Sequence, residues 1–141
     1  MKWITRERPK VDRVACPWLI KRFVDPEAVF LYAPKDRVLA VAERERATPY
    51  DIEGAELGHH GDRCSFDAIV KKYRLEKDPA IVRMAEIVRG ADTNAPDLAP
   101  ESRGVLAICE GLGKVFDDDH EQLTAAMPLF EALYRACGGA D

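Results

Sequence analysis

The sequence predicts an α+β fold, predominantly helical with about six helices and a small N-terminal sheet of two or three strands. Three observations carry this. Short β-branched and aromatic runs are confined to the first third of the chain. From residue 65 onward apolar positions recur at intervals of three and four, with no strand-like alternation. The length of 141 residues matches one compact domain, so residues 1–141 are expected to form a single unit.

Taken in order, residues 2–7 alternate Trp3 and Thr5 against Ile4 and Arg6, which suits a first strand, and Val29-Phe30-Leu31-Tyr32, closed by Ala33-Pro34, suits a second. A weaker third strand is expected near Thr48 to Ile52. Between the first two, Cys16 to Val24 reads as a short helix with Pro17 at its first position and Asp25-Pro26 as its stop. Asp36 is placed to cap the next helix, through Val38, Leu39, Val41 and Ala42. Ser65 is placed to cap a helix carrying Phe66, Ile69, Val70 and Tyr73. Pro79 opens another, with Ile81, Met84, Ala85 and Val88 on one stripe, ended by Gly90. Pro100 opens a helix through Val105, Leu106, Ile108, Cys109, Leu112, Val115 and Phe116. It is apolar around so much of its circumference that it is expected to be the central buried helix, with Gly104, Gly111 and Gly113 admitting close neighbours. The last helix, from about Asp118 to Cys137, carries Leu123, Met127, Phe130, Leu133 and Tyr134, with Pro128 expected to kink it.

Composition narrows the function. Apolar residues make up 47% and charged residues 33%, which excludes disorder and fibrous repeats. The net charge of -4 argues against electrostatic partnership with nucleic acid or anionic lipid. No apolar stretch approaches the roughly 20 residues of a membrane helix, and the charged N-terminus does not open into a signal peptide, so a cytoplasmic protein is expected. Cys16, Cys64, Cys109 and Cys137 are widely spread, without CxxC pairing or a disulfide framework. Cys109 and Cys137 read as small core residues.

Three polar segments stand out. The loop Gly58-His59-His60-Gly61-Asp62-Arg63-Cys64 carries two of the three histidines and a thiol, donors that suit zinc or another first-row transition metal. Adjacent histidines in extended backbone cannot both face one ion, so one ligand and one outer residue are expected. Asp117-Asp118-Asp119-His120-Glu121 opens the last helix. Its acids read in part as caps, and His120 shares a helical face with Leu123 and Met127, so it is expected to point inward. Asp92 lies just beyond Gly90, where the negative end of a helix dipole disfavours a carboxylate and a cation or an arginine is needed. His59 or His60 with Asp92, His120 and Glu121 would then make a nitrogen and oxygen site for zinc, iron or manganese. A separate group, Arg8, Arg13 and Cys16 with Arg63 and Cys64, is a candidate oxyanion pocket or reactive thiol, because arginines and free N–H groups at a helix start stabilise anions and thiolates. The alternative for Cys16 is a buried residue beside a surface network of Asp12 with Arg13 or Arg22.

Four blocks together, Arg8 to Pro26, Glu56 to Asp67, Val88 to Thr93 and Asp118 to Gln122, resemble the C-terminal domain of the chromate-resistance protein ChrB over nearly the whole chain. The resemblance implies a place in a chromate-resistance system, with chromate or a related oxyanion as partner. Longer members of the family carry an N-terminal region linked to DNA binding, so no direct nucleic-acid binding is expected of this chain. A homodimer or a separate regulatory chain is the macromolecular partner to look for. The leading expectation is a metal-binding sensor of chromate or a chromium species derived from it. A metal-dependent redox enzyme that detoxifies chromate or reactive oxygen is the second reading, and a structural or interaction domain the third.

Overall fold

A computed structural model describes residues Met1–Asp141. The chain runs β1 (Lys2–Arg6), α1 (Val11–Leu19), β2 (Val29–Ala33), α2 (Val38–Glu45), β3 (Thr48–Pro49), α3 (Ser65–Lys72), α4 (Pro79–Asp92), α5 (Ser102–Val115) and α6 (Asp119–Ala136). This is the α+β architecture the periodicity predicts, six helices over a three-stranded sheet. The sheet is parallel, in the order β2-β1-β3, with Trp3 beside Phe30, Thr5 beside Tyr32, and Ile4 beside Pro49. Parallel pairing demands crossovers, and α1 and α2 supply them.

Side-chain alternation sends the two faces of the sheet to different cores. Trp3, Phe30 and Tyr50 join α1, α3, α4 and α6 in the main core. On the other face Ile4 and Ala33 pack with Val38 and Ala42 of α2 and with Ile52 and Ala55.

The first helix begins earlier than its proline suggests. Val14 N–H already donates to the Lys10 carbonyl at 3.1 Å, and Pro17 sits inside α1, not at its first position. The missing N–H of Pro17 leaves one i to i−4 bond unmade. The helix then widens into a π-helical turn, Ile20–Val24, closed by Asp25 N–H donating to the Ile20 carbonyl at 2.7 Å. Every residue of α1 is buried, so α1 and not α5 is the central helix.

That overturns the expectation for α5. Only Ser102 and Cys109 are buried along it, while Ile108 and Val115 are exposed. A Cβ at Gly104 or Gly111 would meet nothing, so these glycines admit no neighbour. The close approach occurs on α4 instead. There a Cβ at Gly90 would overlap Ser102 Oγ, which donates to the Ile87 carbonyl at 2.9 Å. α6 continues through Pro128, its N-cap Asp118 accepting from Glu121 N–H at 2.9 Å. α2 has Arg37 and not Asp36 at its N-cap, without a side-chain bond. No helix is long and apolar enough to cross a membrane.

Candidate metal centre

Ligand crevices of parallel sheets open at the carboxyl ends of the strands. Here the segments leaving β1 and β3 bring Asp12 and Asp51 to that edge. Asp12 lies on the first turn of α1. Asp51 follows β3 in a left-handed conformation (φ 47°) that aspartate tolerates, its N–H donating to the Leu57 carbonyl at 3.0 Å. The loop after it delivers His59. A Cβ at Gly58 would stand 2.8 Å from the Ile52 carbonyl oxygen, so only glycine lets the chain pass this close. α4 delivers Asp92 as its last residue.

These four side chains converge. His59 Nε2 stands 2.9 Å from Asp92 Oδ2, 3.1 Å from Asp51 Oδ1 and 3.6 Å from Asp12 Oδ2. One ligand atom from each of Asp12, Asp51, His59 and Asp92 lies within 4.8 Å of all the others. Ion bonds of about 2.1 Å span up to about 4.2 Å across a centre, so side-chain shifts of tenths of an ångström would close the group on a cation. Asp12 and Asp51 are buried, while the His59 side chain is 43% exposed, which leaves a face open to solvent.

Neighbours orient the carboxylates, as outer partners do in metal sites. Asp12 receives the backbone N–H of Ser65 at 2.6 Å and of Phe66 at 3.1 Å, so a residue of α1 caps the start of α3. Cys16 Sγ donates to the same carboxylate at 3.4 Å. Asp51 accepts from Ser65 Oγ at 3.1 Å, and its other oxygen faces Arg13 at 3.6 Å and Arg6 at 3.7 Å.

Crowded negative charge shows in the proton affinities. Burial, then the charges of Asp12 and Asp51, push Asp92 up to about 7, with His59 holding it down. Burial and Asp12 likewise raise Asp51. The nearby Asp12 carboxylate and the charges of Asp51 and Asp92 outweigh partial burial and lift His59 to about 9. As a free group at neutral pH, His59 is thus an imidazolium set against the carboxylates around it.

Of the residues singled out from the sequence, the structure brings together His59 and Asp92, with Arg13 beside them. Cys16 reaches the cluster through Asp12, and the others lie elsewhere. His60 points away from its neighbour, exposed, with Nε2 2.7 Å from the Glu56 carbonyl. His120 is exposed and not inward. It sits on the first turn of α6, before that helix meets the core, edge-on to Tyr32 with ring centroids 5.1 Å apart. Glu121 is also exposed. Arg8 is committed to the end of α5, donating to the carbonyls of Gly113 at 2.7 Å and Asp117 at 2.6 Å. Arg63 is exposed beside Asp62.

The thiols differ from expectation too. Cys16 lies within α1, not at a helix start, and burial followed by Asp12 pushes its thiol well up. Cys64 is the buried N-cap of α3, and burial, Asp12 and Asp67 raise it likewise. Neither is poised as a thiolate. Asp12 is buried, so no surface network forms there. Asp12 and Asp51 were the members of the cluster that sequence reasoning missed. The available signal for Asp12 was an acid inside an otherwise apolar helical run.

Comparison with known proteins extends over nearly the whole chain. No solved structure matches. The chain is 32% identical over 133 residues to Protein ChrB of Cupriavidus metallidurans (strain ATCC 43123 / DSM 2839 / NBRC 102507 / CH34), covering 94% of this chain and 40% of that protein. It therefore spans about two-fifths of that relative's length. The family model described as ChrB, C-terminal domain, matches residues 3–137, and the chain belongs to that family.

Proposed function

We propose that this domain is a divalent-metal-binding module of a chromate-resistance system, responding to chromate or a chromium species derived from it. The observation that carries the reading is the convergence of Asp12, Asp51, His59 and Asp92, drawn from four separate segments, with an outer partner on each buried acid. One nitrogen against three carboxylate oxygens suits manganese or iron(II) better than zinc, whose structural sites favour thiolate and imidazole. The half-exposed imidazole leaves room for an exogenous ligand on the ion. The domain acts in the cytoplasm in this reading.

Elemental analysis of protein purified without chelator tests it. About one divalent ion per chain is expected, and its loss from a folded His59→Ala Asp92→Ala variant. A folded wild-type protein that neither carries nor takes up manganese, iron or zinc would overturn the reading.

A further inference from the structure

Beside the cluster, five buried polar atoms have no hydrogen-bond partner: Thr5 Oγ1, Arg6 Nε, Arg13 Nε, Tyr32 OH and Tyr50 OH. The topology gathers them at the carboxyl ends of the strands. Thr5 and Tyr32 are register partners, on the face of the sheet that also carries Trp3 and Phe30 beneath α1. Tyr50 follows β3 on that face, its ring edge-on to Phe30 with centroids 6.4 Å apart. Arg13 and Arg6 approach one oxygen of Asp51. Burial raises Tyr50, the neighbouring Tyr32, Cys16 and Asp51 groups add to this, and Arg13 opposes it. Burial likewise raises Tyr32, the charges of Asp119 and Asp118 add to this, and Arg13 opposes it. Both phenols and Arg13 therefore share one neighbourhood.

Every one of these atoms can donate, and an arginine Nε–H can do nothing else. Buried donors left unmet are costly, and nothing in the group is an acceptor only. Two guanidiniums share a single carboxylate oxygen, at 3.6 and 3.7 Å, so two positive charges face one acceptor there. We propose that Thr5, Arg6, Arg13, Tyr32 and Tyr50 form a second binding site, adjoining the metal centre, for a small oxyanion of the sulfate type.

The coupling between the two sites rests on the metal reading above. Arg6 and Arg13 face the same Asp51 carboxylate that would ligate the cation, so the two sites share one carboxylate. A divalent ion drawing on Asp51 adds positive charge beside the guanidiniums, which an anion neutralises. Metal and oxyanion then tighten each other's binding, by the same factor in both directions.

Calorimetric titration with sodium sulfate, against sodium chloride at matched ionic strength, tests the proposal. Saturable sulfate binding is expected in manganese-loaded wild type. It should weaken about tenfold or more in Tyr50→Phe and in Tyr32→Phe, each of which deletes one donor and keeps the ring. Thermal unfolding of each variant checks folding, and Arg13→Lys stands in for one that fails. Wild type that shows no saturable binding, or phenylalanine variants that bind like wild type, would overturn the oxyanion site. Equal sulfate affinity in chelator would overturn the coupling. A manganese titration without sulfate reads the metal centre alone. Manganese uptake without sulfate binding sinks this inference and leaves the metal reading standing. Sulfate binding in a chain that takes up no manganese does the reverse.

Discussion

Metal affinity in this domain is predicted to depend steeply on pH. An ion at the cluster must displace the His59 proton, held up to about pH 9, and the Asp92 proton, held up to about pH 7. Each proton displaced costs a factor of ten per pH unit below its pKa, about 1.4 kcal/mol. Affinity should therefore rise about tenfold per unit from pH 7 to 9 and about a hundredfold per unit from pH 5 to 6.5. Calorimetry in two buffers of different ionisation enthalpy counts the protons directly. About one should leave per manganese at pH 8 and about two at pH 6. His59→Ala should weaken binding and remove the upper proton, leaving only the Asp92 step, which moves above pH 7 because His59 no longer holds it down. The same shifts set the pH dependence of the metal-free fold. Both groups have folded pKa values above their unfolded ones. The stability they contribute is full below pH 4 for Asp92 and below 6.5 for His59, and is lost as pH rises through about 7 and about 9. Affinity that stays flat from pH 6 to 9, with no proton released, would refute the reasoning.

Asp12→Ala should cost about 2 kcal/mol in urea unfolding, because the buried N–H groups of Ser65 and Phe66 lose their acceptor while repulsion with Asp51 and Asp92 is relieved. His120→Ala should change stability by less than about 0.5 kcal/mol and leave metal content as in wild type, since its exposed ring touches only the edge of Tyr32. Gly90→Ala should lower the thermal midpoint through a loss of about 1–3 kcal/mol, because the new methyl overlaps Ser102 Oγ and stands 3.0 Å from the Ala95 carbonyl oxygen.

Periodicity made the helices legible, because α3, α4 and α6 each bury one stripe and expose the rest. It misled at α5, where apolar residues on the outer face, Ile108 and Val115, look the same in sequence as residues facing a core. Pro17 misled at α1, since proline favours a helix start and nothing local reveals that the first turn is already formed from Lys10. In the site, His59 and Asp92 stood out because a glycine-flanked imidazole and an acid at a helix C-terminus both need explaining. Asp12 and Asp51 did not. Asp12 stands next to Arg13 and read as part of a surface network, Asp51 fell within the expected weak third strand, and only the parallel sheet order brings them to one edge. His120 failed for a geometric reason: helical phase gives direction but not depth, and its turn lies beyond the core.

Anomalous diffraction from crystals grown with manganese tests the central claim most directly. A peak is predicted within about 2.0–2.3 Å of His59 Nε2 and of oxygens from Asp12, Asp51 and Asp92. A bound ion found instead at His60 or His120, with the four-residue cluster held together by His59 alone, would contradict it.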